Sequence, residues 1–174
     1  VAVIDQTLLP FAFEVRTLRS VEDAATAIRD MVVRGAPLIG VTTAYGVALA
    51  LREHPGDGSL AAAIEQLVAT RPTAVNLRWA AERMRRTVAT MPPAERAARA
   101  YAEAAAIAEE DVASCAAIGR HGLSLLRDLA HGQGGGCINV LTHCNAGWLA
   151  CVDWGTALAP VYAAHEAGLP VHVY

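Results

Sequence analysis

The residues best placed for chemistry are Thr142-His143-Cys144-Asn145-Ala146-Gly147-Trp148. They follow an apolar strand-like run, Cys137 to Leu141, and precede a run read as helical to about Ala167. A thiol at such a junction faces backbone N–H groups of a helix start, which favour a thiolate. Ligands of open α/β sheets gather at the carboxyl ends of strands. Two readings stand for Cys144: a reactive thiol, or a small apolar residue of the kind most buried cysteines are.

Two further junctions carry arginine. At Arg34-Gly35-Ala36-Pro37, a helix predicted to start on Pro37 presents unpaired N–H groups of Gly35, Ala36, Leu38 and Ile39. Gly35 admits a ligand close to the backbone, and Arg34 adds a permanently charged fork suited to phosphate. Arg71-Pro72-Thr73-Ala74 repeats the form. A pair of plain turns with surface arginines is the alternative to a phosphate clamp.

His143 is next to Cys144, but neighbours on a strand point to opposite faces, which disfavours a direct pair. Thr142 and Asn145 either orient a substrate or cap the turn. His121 reads as a helix-packing residue. The cysteines, Cys115, Cys137, Cys144 and Cys151, show no close pairing of the zinc type. They read as reduced thiols of a cytoplasmic protein.

The elements that must position these groups follow from periodicity and punctuation. Val1 to Asp5 and Phe13 to Leu18 read as strands. Ser20 opens a helix with Asp23 in capping-box position, and Arg34-Gly35 closes it. Helices follow from Pro37 to about Glu53, from Ser59, and from about Ala74 to Thr90. A long alanine-rich helix then runs to about Leu129. The glycine run His131 to Gly136 divides a helical domain, 1–132, from a segment, 133–174, that reads strand, helix (Gly155 to Ala167), strand. The fold class is therefore α+β: a mainly helical domain with a small antiparallel β element, then the first βαβ unit of a Rossmann-like α/β domain. Two parallel strands make no stable sheet, and the chain opens without methionine, so it reads as part of a longer protein.

The 174 residues are 54% apolar and 18% charged, which describes a globular chain. A net charge of −3 with scattered arginines argues against nucleic acid as a partner. The longest apolar run, Ala36 to Leu51, is 16 residues and reads as a buried core helix, not a membrane span.

Several segments together resemble the S-methyl-5-thioribose-1-phosphate isomerase family, related to the alpha, beta and delta subunits of translation initiation factor 2B. They are Ile4 to Pro10, Val33 to Gly40, Arg71 to Leu77, Ile118 to Gly122 and Leu141 to Gly147. The resemblance implies conversion of 5-methylthioribose 1-phosphate to 5-methylthioribulose 1-phosphate in methionine salvage. It implies substrate contacts at Arg34, Gly35, Ala36 and Arg71, and a catalytic Cys144. It calls for no cofactor and no metal, and implies a homodimer acting on a small phosphosugar. The family's catalytic aspartate falls in a half of the α/β domain that lies outside this chain; Asp111 and Asp153 do not match its motif. Trp148 and Asp153-Trp154 depart from the family pattern and either pack the following helix or narrow the site. Other phosphosugars, 5-deoxyribose 1-phosphate or ribose 1,5-bisphosphate, and a non-catalytic regulatory subunit remain as alternatives.

Overall fold

The computed structural model describes residues 1–132, 134 and 136–174. Gln133 and Gly135, part of the predicted glycine boundary, lie outside the described residues. The chain forms two compact units, Val1–Glu109 and Glu110–Tyr174.

In the first unit, β1 (Ala2–Ile4) pairs antiparallel with β2 (Val15–Thr17), Ala2 opposite Thr17 and Ile4 opposite Val15. So short a ribbon is not stable alone. It is anchored by Leu18, which is fully buried and whose N–H donates to the Val1 carbonyl (2.7 Å).

Helix α1 (Val21–Arg29) carries the predicted capping box. The Ser20 hydroxyl accepts from the Asp23 N–H (3.1 Å), and the Asp23 carboxylate accepts from the Ser20 N–H (3.1 Å). The helix ends at Arg29, earlier than the predicted stop at Arg34-Gly35. Met31 turns into the left-handed region (φ 61°), and Val32 and Val33 drop into the core. Gly35, at φ 94°, is not the end of α1 but the N-cap of α2 (Ala36–Glu53).

Helix α2 is the centre of this unit. It is apolar on nearly every face, as a helix surrounded by others must be. Its buried Thr42 and Thr43 hydroxyls donate to the Leu38 and Ile39 carbonyls (both 2.8 Å), so neither polar group is stranded. Gly46 has no side chain because α1 and α3 converge there: a Cβ would sit 3.0 Å from Ala24 Cβ and 3.1 Å from Leu67 Cδ1. Helix α3 (Asp57–Thr70) begins two residues before the predicted Ser59 cap, with Gly56 as N-cap. Helix α4 (Val75–Val88) buries Leu77, Ala80, Ala81, Met84 and Val88 against α2.

Helix α5 (Pro93–Gly132) runs from the first unit into the second. In the first unit its buried Arg96 donates to the carbonyls of Pro55, Ala89 and Met91 and pairs with Asp57 (2.6 Å). Its buried Glu103 is held by Arg83 (2.7 Å) and Arg99 (2.8 Å). Both charges are thus compensated, as burial requires.

In the second unit, β3 (Ile138–Val140) and β4 (Val171–Val173) pair parallel, Ile138 opposite Val171, and α6 (Ala159–Glu166) crosses between them. This is the expected βαβ connection. Its helix is shorter than predicted, because residues 147–158 form a loop with one 3-10 turn, Trp148–Ala150. The Gly119-Arg120-His121-Gly122 segment of α5 seats α6. A Cβ on Gly122 would lie 2.4 Å from Pro160 Cγ, and one on Gly119 would lie 3.2 Å from the Ala159 carbonyl oxygen. The glycines, and not His121, make this contact; His121 is exposed.

Candidate functional site

The two arginine junctions meet in the first unit. Gly40, in the second turn of α2, packs on Asn76 in the first turn of α4; a Cβ there would sit 3.2 Å from the Asn76 carbonyl oxygen. The starts of α2 and α4 therefore lie side by side. Neither has a side-chain cap or an acidic residue in its first turn. Helix α1, by contrast, has a complete capping box, and α3 carries Asp57 in its first turn. Uncapped starts leave N–H donors and the positive end of the helix dipole facing outward.

Pro37 is at the second helical position, not the first. The Ile39 N–H is not a free donor as predicted, since it closes the first helical bond to the Gly35 carbonyl (2.9 Å). Ala36 and Leu38 keep N–H groups outside the helical ladder. Arg34 is half-buried and Arg71 exposed, and among the described residues neither forms an ion pair. Uncapped helix starts and guanidinium groups are both features that favour anions. A cavity of about 320 Å³ opens at the start of α4, with Pro72, Val75 and Trp79 as apolar walls and Arg78 and Glu82 as its charged lining.

The Ile4 to Pro10 segment holds the first junction. The Gln6 N–H donates to the Val32 carbonyl (3.0 Å), two residues before Arg34. Asp5 is buried, and its carboxylate accepts from the Thr7 hydroxyl (2.6 Å), the Thr7 N–H (3.1 Å) and the Arg16 guanidinium (2.6 Å). The Thr7 hydrogen bonds and the Arg16 charge hold the Asp5 carboxyl below the usual carboxylate range. A depressed folded-state value means stability that is present above the unfolded value and lost as pH falls through the folded one. Asp5→Asn is expected to lower the unfolding free energy by about 1–3 kcal/mol at neutral pH. It should also flatten the loss of stability on acidification below about pH 4, measured by urea unfolding across pH. An unaltered pH profile would count against this role.

Cys144 lies in the second unit. The Thr142 N–H donates to the Tyr174 carbonyl (3.1 Å), which fixes the strand end. Cys144 is exposed and adopts the left-handed conformation, φ 66°. A non-glycine residue there costs about 1–2 kcal/mol, and such positions cluster at functional sites. No α-helix starts beside it, contrary to the sequence expectation; α6 begins only at Ala159. The reason is a backbone crossing. The Ala146 carbonyl accepts from the Thr156 N–H (3.0 Å), and Gly155, at φ 85°, lies so close that its Cβ would stand 2.3 Å from Gly147 C. That contact requires a glycine at 155, while a Cβ on Gly147 would instead meet Leu158 Cδ1 at 2.9 Å, and the crossing presents Cys144 on a short, tied loop. Among the described residues no hydrogen bond joins His143 to Cys144. Trp154 packs on Cys115, Ala150 and Cys151, so it is a packing residue, while Trp148 is 44% exposed.

Arg34, Gly35, Ala36 and Arg71 thus stand at the starts of two helices that pack together in one unit, and Cys144 lies in the other. Sequence reading missed the Asp5 anchor and the Gly147–Gly155 crossing. The Ile4 to Pro10 match was the available signal for the first; nothing local signals the second.

Residues 32–174 match the model of the initiation factor 2 subunit family (IF-2B), and the chain belongs to that family. Within it, the chain is 65% identical over its whole length to a methylthioribose-1-phosphate isomerase of Methylorubrum populi, and 57% identical to one of Escherichia coli. It spans about half of these relatives, 47% of each. Among solved structures it is similar to 5-methylthioribose 1-phosphate isomerase from Pyrococcus horikoshii (37% identity, TM-score 0.84, covering 97% of this chain and 48% of that one). It is equally similar in fold to the translation initiation factor eIF-2B, subunit delta, from A. fulgidus (41% identity, TM-score 0.84, covering 99% and 50%).

Proposed function

We propose that the complete protein is an aldose–ketose isomerase converting 5-methylthioribose 1-phosphate to 5-methylthioribulose 1-phosphate. The observation that carries this reading is the pair of adjacent, uncapped, acid-free helix starts, each preceded by an arginine. The names of relatives 57–65% identical along the whole chain support it. Arg34, the backbone of Gly35 and Ala36, and Arg71 hold the substrate phosphate. That phosphate blocks the anomeric oxygen, so the sugar ring must open by breaking C1–O4, with O4 taking a proton. The hydrogen on C2 then passes to C1 while the C2 hydroxyl becomes the carbonyl. Cys144 assists this transfer, either as an acid/base or by stabilising the transition state. The carboxylate expected to work with it belongs to a half of the protein outside this chain.

The same reading extends 133–174 into a Rossmann-like α/β domain beyond a glycine-run boundary. It makes the complete protein a cytoplasmic homodimer with no nucleic-acid or membrane partner. In support, no helix among the described residues is long and apolar enough to cross a membrane.

The test is turnover by the complete protein of 5-methylthioribose 1-phosphate, 5-deoxyribose 1-phosphate and ribose 1,5-bisphosphate. The first is expected to have the highest kcat/KM; preference for either of the others reassigns the substrate. A second reading, a sugar-phosphate sensor of the regulatory type, is favoured by the likeness to the A. fulgidus delta subunit. Binding of all three sugars without turnover would establish it instead.

A further inference from the structure

Asp111, Cys115 and Cys151 form a cluster that the isomerisation does not use. Asp111 and Cys115 stand one turn apart on α5, and Cys151 directly follows the Trp148–Ala150 turn. Their ligand atoms all lie within 4.8 Å of one another, and Cys115 Sγ is 4.0 Å from Asp111 Oδ1. Both thiols are buried, at 1% and 3% exposure, beneath Ala150 and Trp154. Asp111 Oδ2 accepts the Val152 N–H (2.8 Å), which orients the carboxylate and leaves Oδ1 turned to the sulfurs. An oriented carboxylate of this kind is what a metal site needs around its ligands.

We propose that Asp111, Cys115 and Cys151 bind one soft divalent cation, zinc being the best chemical match, with water as the fourth ligand. Zinc–sulfur bonds of about 2.3 Å place the ligand atoms of a tetrahedral site roughly 3.5–4 Å apart, close to the spacing found. Two thiolates select zinc over magnesium or calcium. On binding, a divalent ion also offsets the charge of two thiolates and a carboxylate held together in a largely buried place. Burial first, then the Asp111 charge, pushes both thiols up, Cys151 to about 12; Asp153 adds to the effect at Cys115. Sequence spacing carries no such signal because α5 and the loop after Cys144 meet only in the fold.

The test uses the complete protein, reduced and stripped with a chelator, then titrated with cobalt(II). A sulfur-to-cobalt charge-transfer band and intense tetrahedral d–d bands are expected, saturating at one ion per chain and bleached by zinc. Cys115→Ser and Cys151→Ser should each lower zinc affinity at least about a hundredfold, while Cys144→Ser leaves it unchanged. Absence of the bands in the wild-type protein overturns the proposal, even where a variant fails to fold. So does their loss in Cys144→Ser with retention in the other two. None of these readouts is turnover, so the outcome is independent of the isomerase reading.

Discussion

Cys144→Ser in the complete protein is expected to lower kcat about a thousandfold, with circular dichroism and thermal unfolding unchanged. The size is that of a lost acid/base or transition-state contact. Serine keeps the shape and the hydrogen-bonding capacity, so the loss isolates the acidity and polarisability of sulfur. The left-handed backbone at Cys144 gives a second, opposite-signed readout. Cys144→Gly removes the side chain that makes φ 66° costly, while adding flexibility to the unfolded chain. The net expectation is an unfolding free energy unchanged or raised by up to about 1 kcal/mol, together with the same loss of turnover. A residue that lowers stability where it stands and is needed for rate is a catalytic residue and not a filler. Near-normal turnover in either variant would sink the assignment.

Arg34→Ala is the second large effect. Loss of a charge-assisted contact to phosphate costs about 1.5–3 kcal/mol, which raises KM roughly 10- to 150-fold. Arg71→Ala should act in the same direction. Inorganic phosphate, as a competitive inhibitor, should weaken in parallel, because the site grips the phosphate and not the sugar. Arg34→Lys should restore only part of the affinity, since an ammonium lacks the planar fork. If both arginines hold one phosphate, the double variant should differ from the sum of the single effects, and strict additivity would separate them into independent sites. Unchanged KM and inhibition constant in Arg34→Ala would remove the clamp.

What was legible in the sequence was whatever short-range physics decides. The capping box of Ser20 and Asp23 closes over three residues, and it formed as read. The long apolar run Ala36 to Leu51, broken only by Thr42 and Thr43 among clearly polar residues, read as a buried helix, and α2 is one. The βαβ order of the C-terminal segment followed from alternating patterns and appears as β3, α6 and β4. Gly35 was misread because glycine past a helix and glycine before one look alike locally; the burial of Val32 and Val33 ended α1 early and left Gly35 to start α2.

The sequence by itself determined which residues are proposed for chemistry: the Arg34 and Arg71 junctions and the Cys144 thiol are types and orders that need no coordinates. Only the tertiary structure decided how they are held. Gly40 against Asn76 sets two helix starts side by side, and Gly155 against Gly147 clamps the loop that turns Cys144 into its left-handed conformation. Asp111, Cys115 and Cys151 became neighbours in the same way. The first and last of these contacts join segments far apart in the chain, and the Gly147–Gly155 crossing joins residues eight positions apart. Backbone proximity of that kind is written in no local pattern; it arises when helices bury their apolar faces and the chain between them has only one way to close.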